Sequence, residues 1–497
     1  MDQPYSRIAD AILDYQYWSP NDPQKNPYDD TGWTFPEGFA VQCVRVTDVK
    51  VLDVPGEKVT GTILPTGGVA GTGSTFLINH NGDNALVTLR YKLKDASFQI
   101  AEEPFDANGQ HYNRGSFIVT GVSQSALDAA AKSLGVKVAA VASAPSVKTH
   151  AGRAARVAIL HTWNGTQTEG WWRQAFDFNE VPYDYISVQD AAANGNLNAK
   201  YDVIVFPPAG ANAQSIIDGM PMWRNPMPWK NTTETPNIGT WAQTDDVRPG
   251  LGWSGLEHLT SFVKNGGVLV TSTNTAEFAI DYGLTNGVTS STARRLEVDG
   301  TLLRAKIVDD ASPIVYGVPD NLAVFTKTGQ WLTVSNQRGG GFGRGGGGGG
   351  RGGNGGAARA TGRGTPDDAD SPQGRPASMQ AGAYSAPPRT EGTPWSPAPL
   401  TDDAFRNPLN IIPPDQRPRV AVRYADQRDL FVSGLLDGGQ DLAQRPVVVD
   451  SPVEKGHIVL FANNPIYRGE TIGTYFMVYN TLLNWDNLNA GRKLDPR

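Results

Sequence analysis

Cysteine is almost absent from this chain. A single residue, Cys43, excludes an internal disulfide and any multi-cysteine metal centre. Positive charge is short as well. The 43 Lys and Arg against 50 Asp and Glu leave a net charge of −7, whereas a general nucleic-acid binder carries a basic excess. No apolar run reaches the length that spans a bilayer. The opening residues lack the basic-then-apolar pattern of a signal peptide. Neither a nucleic-acid partner nor a membrane partner is expected. The six histidines (His80, His111, His150, His161, His258 and His457) include no HExxH, HxxE or HxH spacing. A zinc site built from distant histidines is compatible with that spacing, but surface or hydrogen-bonded core histidines are the favoured reading.

What the chain does have is enough apolar surface for real cores. Its 497 residues are 39% hydrophobic and 9% aromatic, which suits two to four domains. It opens on "DQPYSRIADAILDYQYW". Asp2 can cap a helix, Pro4 suits its first turn, and Tyr5, Ile8, Ile12 and Tyr15 share one face, so a helix over 3–18 is predicted that needs a covering surface. A Pro/Asp/Asn-rich loop, the strand-like "CVRVTDVKVLDV" and a Gly/Thr-rich stretch follow.

Residues 44–150 then alternate as a small α/β accessory unit. "STFLINH", "SFQIAEEPF", "GSFIVTG" and "VKVAAVAS" read as strands. "DNALVTLRYKLKD" and "SQSALDAAAKSLG" read as helices, the second capped by Ser123 or Ser125 and stopped by Gly135. "SAPSVKTHAGRA" is a polar joint.

From 151 to 336 apolar strands such as "RVAILHTW", "YDVIVFPP" and "GGVLVTS" alternate with helices such as "TEGWWRQAFDFN". The pattern resumes over 418–497 with "RVAVRYA", "RPVVVDSP", "GHIVLFANNP" and a final helix. Such alternation predicts an α/β fold with a doubly wound, mostly parallel sheet. Between the two parts, 337–417 is Gly/Arg/Pro-rich and is expected to be a disordered insert, an excursion from one loop. Its arginines, interleaved with the lone Phe342, suit RNA binding less well than a flexible spacer.

Candidate chemistry is thin. The place for a nucleophile elbow is Ser272, Thr273 and Asn274, after "GGVLV", but no glycines bracket a hydroxyl there. Thr273 or Asn274 is therefore expected to cap the helix "TAEFAIDYG". No catalytic residue is assigned, although a hydrolase using Ser272 or Thr273 with His161 is the enzymatic alternative. His161, Trp163, Gln167, Glu169 and Trp171 cluster near the carboxyl end of the first strand, where such folds bind ligands. They are the pocket candidates. Seven of the twelve tryptophans lie between 163 and 253. Trp223, Trp229, Trp241 and Trp253 in or beside one long loop suit a packing or interface surface, or else a platform for a peptide or glycan.

Two stretches carry a resemblance. "DQPYSRIADAILDYQYW…PYDDTGWTF" resembles the segment downstream of the catalytic domain in large bacterial zinc carboxypeptidases of the carboxypeptidase A-like family. The run from "RVAILHTW" through "NNPIYRGETIGTYFMVYNTLLN" looks like the class I glutamine amidotransferase-like domain that such proteins carry, which implies a flavodoxin-like sheet. The resemblance implies that 1–43 is the tail of a peptidase domain absent from this sequence, with Met1 internal to a longer product. It further implies a periplasmic or extracellular protein whose zinc belongs to that absent domain, so no cofactor is expected here. The amidotransferase cysteine is missing: Ser272–Asn274 occupies its place and Cys43 lies outside the domain. The resemblance thus implies a non-catalytic accessory region whose partner is its own peptidase domain.

Overall fold

The strands VAILH, VIVF, VLVTS and GHIVLF are buried along their whole length. Uninterrupted apolar runs of this kind are what a parallel strand covered on both faces requires. The computed structural model describes residues 6–21, 23, 34–61, 63–319, 322–338, 395–397, 400 and 406–494. The fold is α/β, with a small unit and a larger doubly wound sheet.

The larger sheet contains β1 (Val157–His161), β2 (Asp184–Ser187), β3 (Val203–Phe206), β4 (Val268–Ser272), β5 (Glu297–Ile307), β6 (Ala323–Thr326), β7 (Arg419–Tyr424), β8 (Phe431–Asp437), β9 (Pro446–Val453) and β10 (Gly456–Phe461). Their order is β2-β1-β3-β4-β10-β9-β7-β5-β6, and β8 pairs with β5. The first five are mutually parallel. From β10 to β9 onward the sheet continues antiparallel. The chain runs from β1 outward to β2 and then back past β1 to β3. Strand order therefore reverses between β1 and β3, the flavodoxin-like switch point where open α/β sheets bind ligands.

Four helices matter for the site: α1 (Gln167–Phe178), α2 (Gly252–Lys264), α3 (Asn274–Asp281) and α4 (Tyr475–Leu483). On α1, Phe176 packs edge-on against Tyr479 of α4, and the Tyr479 hydroxyl donates to the Ala175 carbonyl at 3.0 Å. Every residue of α4 is buried, because the small unit covers the side that the large sheet does not.

That unit is a six-stranded sheet ordered Gly68–Gly71, Lys137–Val141, Thr75–Ile78, Phe117–Thr120, Ser97–Ala101 and Thr149–Ala151, with helices Ala85–Lys92 and Gln124–Leu134. Ser123 caps the second helix, its Oγ accepting from Ala126 N at 3.2 Å, and Gly135 ends it at φ 70°. Two amides, one on α4 and one capping its end, join the units: Asn480 Oδ1 meets His80 Nε2, and Asn484 Oδ1 meets His150 Nε2, each at 2.8 Å. The joint "SAPSVKTHAGRA" thus supplies an edge strand and one of these anchoring histidines.

Two expectations need revision. The run "CVRVTDVKVLDV" is not a sheet strand among the described residues. It holds only a 3₁₀ turn, Val49–Asp53, with Val44 78% and Leu52 74% exposed. Alternation specifies a strand only when a neighbour is present to pair with it.

The helix at the amino terminus spans Ser6–Leu13, with Ile8 exposed and Ile12 half-buried; Tyr5 lies outside the described residues. Tyr15, however, finds its cover in this chain, packing with Trp171 against Leu302, Phe325, Val432 and Tyr467. Gln16 and Trp18 bracket Gly434 with backbone hydrogen bonds, so the segment joins β8.

Within 288–334, β5 and β6 extend the sheet, and a separate antiparallel two-stranded ribbon pairs Val288–Ser291 with Trp331–Val334. Of the expected insert, 339–394, 398–399 and 401–405 lie outside the described residues, as does 27–33 of the amino-terminal motif.

Candidate functional site

The loops leaving β1 and β3 touch at the switch point. Gly165 (φ 69°) and Gly210 meet so closely that a Cβ on either would lie 2.5 Å from the other's Cα, and Gly210 N donates to the Asn164 carbonyl at 3.1 Å. Beside this contact is a cavity of about 240 Å³ lined by Thr162, Trp163, Val188, Ile216, Met220 and Arg248 among others.

His161, the last residue of β1, is buried and stacks on Tyr185 of β2 with ring centroids 4.0 Å apart. Trp163 meets the same imidazole edge-on at 4.9 Å. The Tyr185 hydroxyl donates to Glu169 Oε2 at 2.9 Å. Burial pushes the Glu169 carboxyl up to about 7, against the smaller opposing pulls of that hydrogen bond and of Arg173. Burial also lowers His161 to about 4, so its ring is neutral near pH 7. Its Nδ1 lies 3.2 Å from the Thr162 carbonyl, which places the proton on Nδ1 and a lone pair on Nε2. Three buried polar atoms in this cluster have no partner: His161 Nε2, Trp163 Nε1 and Glu169 Oε1. Buried polar atoms left without a protein partner are where ordered water or a small polar ligand would be held.

The structure thus brings together His161, Trp163 and Glu169 of the sequence-predicted pocket. Gln167 is exposed at the start of α1, and Trp171 turns away to pack beside Tyr15. Sequence reasoning missed Tyr185 and Arg173. The Arg173 guanidinium sits over Tyr185 at 4.3 Å and over Trp241 at 4.6 Å. No spacing signal could have paired these residues, because they meet only when α1, β2 and the long loop are assembled.

That loop is pinned rather than loose. Arg248 forks onto both oxygens of Asp246 and donates to the carbonyls of Trp223 and Arg224. Gln189 Nε2 donates to the Asp246 and Pro249 carbonyls, and Trp229 and Thr244 exchange backbone hydrogen bonds. On this scaffold Trp223, Trp229, Trp241 and the adjacent Trp253 remain exposed, as do Met222 and Met227.

The elbow lies at the carboxyl end of β4. Thr273 adopts φ 52° and ψ −117°, a conformation that side-chain-bearing residues seldom take. The expected helix cap is not made. Thr273 contributes no side-chain cap, and Asn274 instead spans to the loop after β3, its Nδ2 donating to the carbonyls of Ala209 and Ala211. Ser272 is fully buried, and its hydroxyl donates to the Asn463 carbonyl at 2.8 Å. The Thr273 hydroxyl points to Asn274 Oδ1 at 3.4 Å, an amide that cannot serve as a base. The neighbouring Asn463 side chain is buried with neither amide atom partnered. Among the described residues no three or more His, Cys, Asp or Glu side chains gather in a metal-binding arrangement, and no helix is long and apolar enough to cross a membrane.

No protein-family model matches the chain, and no curated protein matches it. Similar solved structures include a cytoplasmic protein from Salmonella typhimurium, at 10% identity over 66% of this chain and 97% of that one, TM-score 0.30. A putative ThuA-like protein from Bacteroides uniformis shares 10% identity over 68% and 94%, TM-score 0.29. A beta-galactosidase from Bacillus circulans shares 10% identity over 69% and 32%, TM-score 0.28.

Proposed function

We propose that this chain acts by binding rather than by catalysis, as an accessory module that docks on a neighbouring domain. The neighbour suggested by the resemblance is a zinc carboxypeptidase domain. The observation that carries the reading is the run from Val41 to Leu64. Ten of its large apolar residues stand in water, several with the alternation of a strand, and no partner strand lies among the described residues. An apolar, strand-patterned segment without a partner is a surface for another chain or domain to pair with. The exposed tryptophans of the pinned loop offer a second contact face of the same character.

The test is to produce the peptidase-like region encoded upstream, if the gene has one, as a separate polypeptide and titrate it with the full chain by calorimetry. Saturable binding with a negative heat-capacity change is expected, weakened at least about tenfold by Val44→Asp with Leu52→Asp. Absence of binding, or binding that ignores both substitutions, refutes the reading. The chain alone is expected to release no C-terminal amino acid from peptides.

A second reading rests on the backbone of Thr273, which has the strained geometry of an elbow nucleophile. On that reading the chain is a hydrolase, and Thr273→Ala abolishes turnover of ester or amide substrates. Activity unchanged in Thr273→Ala ends it.

A further inference from the structure

The amino-terminal end of the parallel strands, opposite the switch-point loops, holds a site of different chemistry. A cavity of about 550 Å³ opens at the amino ends of β4 and β10, between the small unit and the turn that follows α4. His457, near the start of β10, reaches it. The ring is buried, and its Nδ1 lies 2.7 Å from Oδ1 of the fully buried Asp450 on the adjacent strand β9. Nε2 lies 3.2 Å from the Asn489 amide nitrogen, a group that only donates. The two contacts together place the ring proton on Nδ1 and leave Nε2 as an acceptor facing the cavity.

The rest of the rim is set for negative charge. Its two carboxylates are already engaged, Glu102 with Lys148 at 2.6 Å and Asp486 with Arg153 at 3.6 Å. Lys455 and Arg492 also line the cavity, and among the described residues neither has a carboxylate within 4.0 Å. Arg492 donates only to Asn489 Oδ1 and to the carbonyls of Pro414 and Arg417. Trp485 supplies a buried Nε1–H with no acceptor. A lysine and an arginine with no carboxylate in direct contact, an orphaned donor and one imidazole acceptor match a tetrahedral anion that still carries a proton.

We propose that this cavity binds a phosphate group. Lys455, Arg492 and Trp485 Nε1 donate to its oxygens, and its P–OH donates to His457 Nε2, displacing the Asn489 amide. Asp450 is a positioning residue that holds the ring in the accepting tautomer.

The full chain is titrated at pH 6, where inorganic phosphate and a good share of a phosphate monoester still carry a proton, with inorganic phosphate and, separately, with sulfate, which has none to donate. Glucose 6-phosphate serves as the arm for an organic monoester. Saturable phosphate binding is expected by calorimetry, with a matching shift of the His457 imidazole resonance, identified by its loss in His457→Gln. Sulfate is expected to bind at least about fivefold more weakly, for want of the hydrogen bond to Nε2. Lys455→Ala and Asn489→Asp alter exposed side chains and spare the fold, and each is expected to weaken phosphate about tenfold, the second by placing a carboxylate against the ligand. Tighter binding of glucose 6-phosphate than of phosphate identifies an organic monoester as the ligand; equal or weaker binding identifies free phosphate. No saturable phosphate binding, equal binding of sulfate, or phosphate affinity unchanged in both surface variants overturns the assignment.

Discussion

Arg304 on β5 clasps Glu37 with two parallel hydrogen bonds, Nη1 to Oε2 at 2.8 Å and Nη2 to Oε1 at 3.0 Å, both side chains being buried. The Tyr15 hydroxyl donates to the same carboxylate at 2.6 Å. Glu37 is therefore bound to the large sheet by a desolvated ion pair, and Tyr15 is bound to it through the same carboxylate. Breaking such a pair from one side strands a charge out of water, which typically costs about 3–5 kcal/mol. Arg304→Ala is expected to lose stability of that order in urea unfolding. Arg304→Met combined with Glu37→Leu is expected to recover most of it, because no charge is left behind. A loss below about 1 kcal/mol for Arg304→Ala refutes this account of how the segment is held.

Glu169 gives stability a pH dependence of definite sign. Its carboxyl is raised by burial from the ordinary 4.5 to about 7, so the folded state prefers the protonated form. The contribution is complete below about pH 4.5 and disappears as pH rises through 7. A displacement of that size corresponds to something on the order of 3 kcal/mol. Glu169→Gln keeps the shape without the ionisation. It is expected to match the parent at pH 4.5 and to exceed it at pH 8.5 in urea midpoint. Parallel curves for the two proteins across that range exclude the proposed burial of an ionisable carboxyl.

His80 and His161 act in the opposite direction. Burial lowers each from 6.5 to about 4, so the folded state holds them neutral. Their contribution is present above pH 6.5 and is lost as pH falls toward 4, because the unfolded chain takes up the two protons more readily than the folded one. In proton NMR both imidazole resonances are expected to stay at neutral-form positions at pH 5.5. A midpoint near 6.5 for either buried ring contradicts its packing. His80 reports on the seam with the small unit through Asn480, and His161 reports on the switch-point site, so the two resonances test different places.

The parallel half of the sheet was legible because β1, β3, β4 and β10 are uninterrupted apolar runs joined by helices with a 3.6-residue period. The antiparallel half was less so. In β5, "EVDGTLLRAKI", Thr301 and Arg304 sit among buried leucines because Arg304 meets Glu37 from a segment more than 260 residues away, and that pairing is invisible to periodicity. The run "CVRVTDVKVLDV" failed in the other direction, having the pattern of a strand without a neighbour. At the site, His161 and Glu169 were legible from their place after a buried strand. The Tyr185 stack, the Arg173 sandwich and the Asp450–His457 pair each depend on register between strands or on docking of a helix, and composition does not encode either.

Thr273 separates structural from chemical explanations of the elbow. A side-chain-bearing residue at φ 52° and ψ −117° stores strain of about 1–3 kcal/mol, and glycine relieves it at an entropic cost below about 1 kcal/mol. The Thr273 hydroxyl makes only a long contact to Asn274 Oδ1, so little is lost with it. The backbone is held independently: Thr273 N donates to the Phe461 carbonyl at 2.8 Å, and Gln330 Nε2 donates to the Thr273 carbonyl at 3.3 Å. Thr273→Gly is therefore expected to raise the unfolding free energy by about 1 kcal/mol, with Thr273→Ala near neutral. If both variants instead lose stability by more than about 1 kcal/mol, the hydroxyl is a structural group with a partner not accounted for here. If stability behaves as expected but the variants lose an activity that the parent has, the strain is retained for chemistry and the hydrolase reading displaces the docking one.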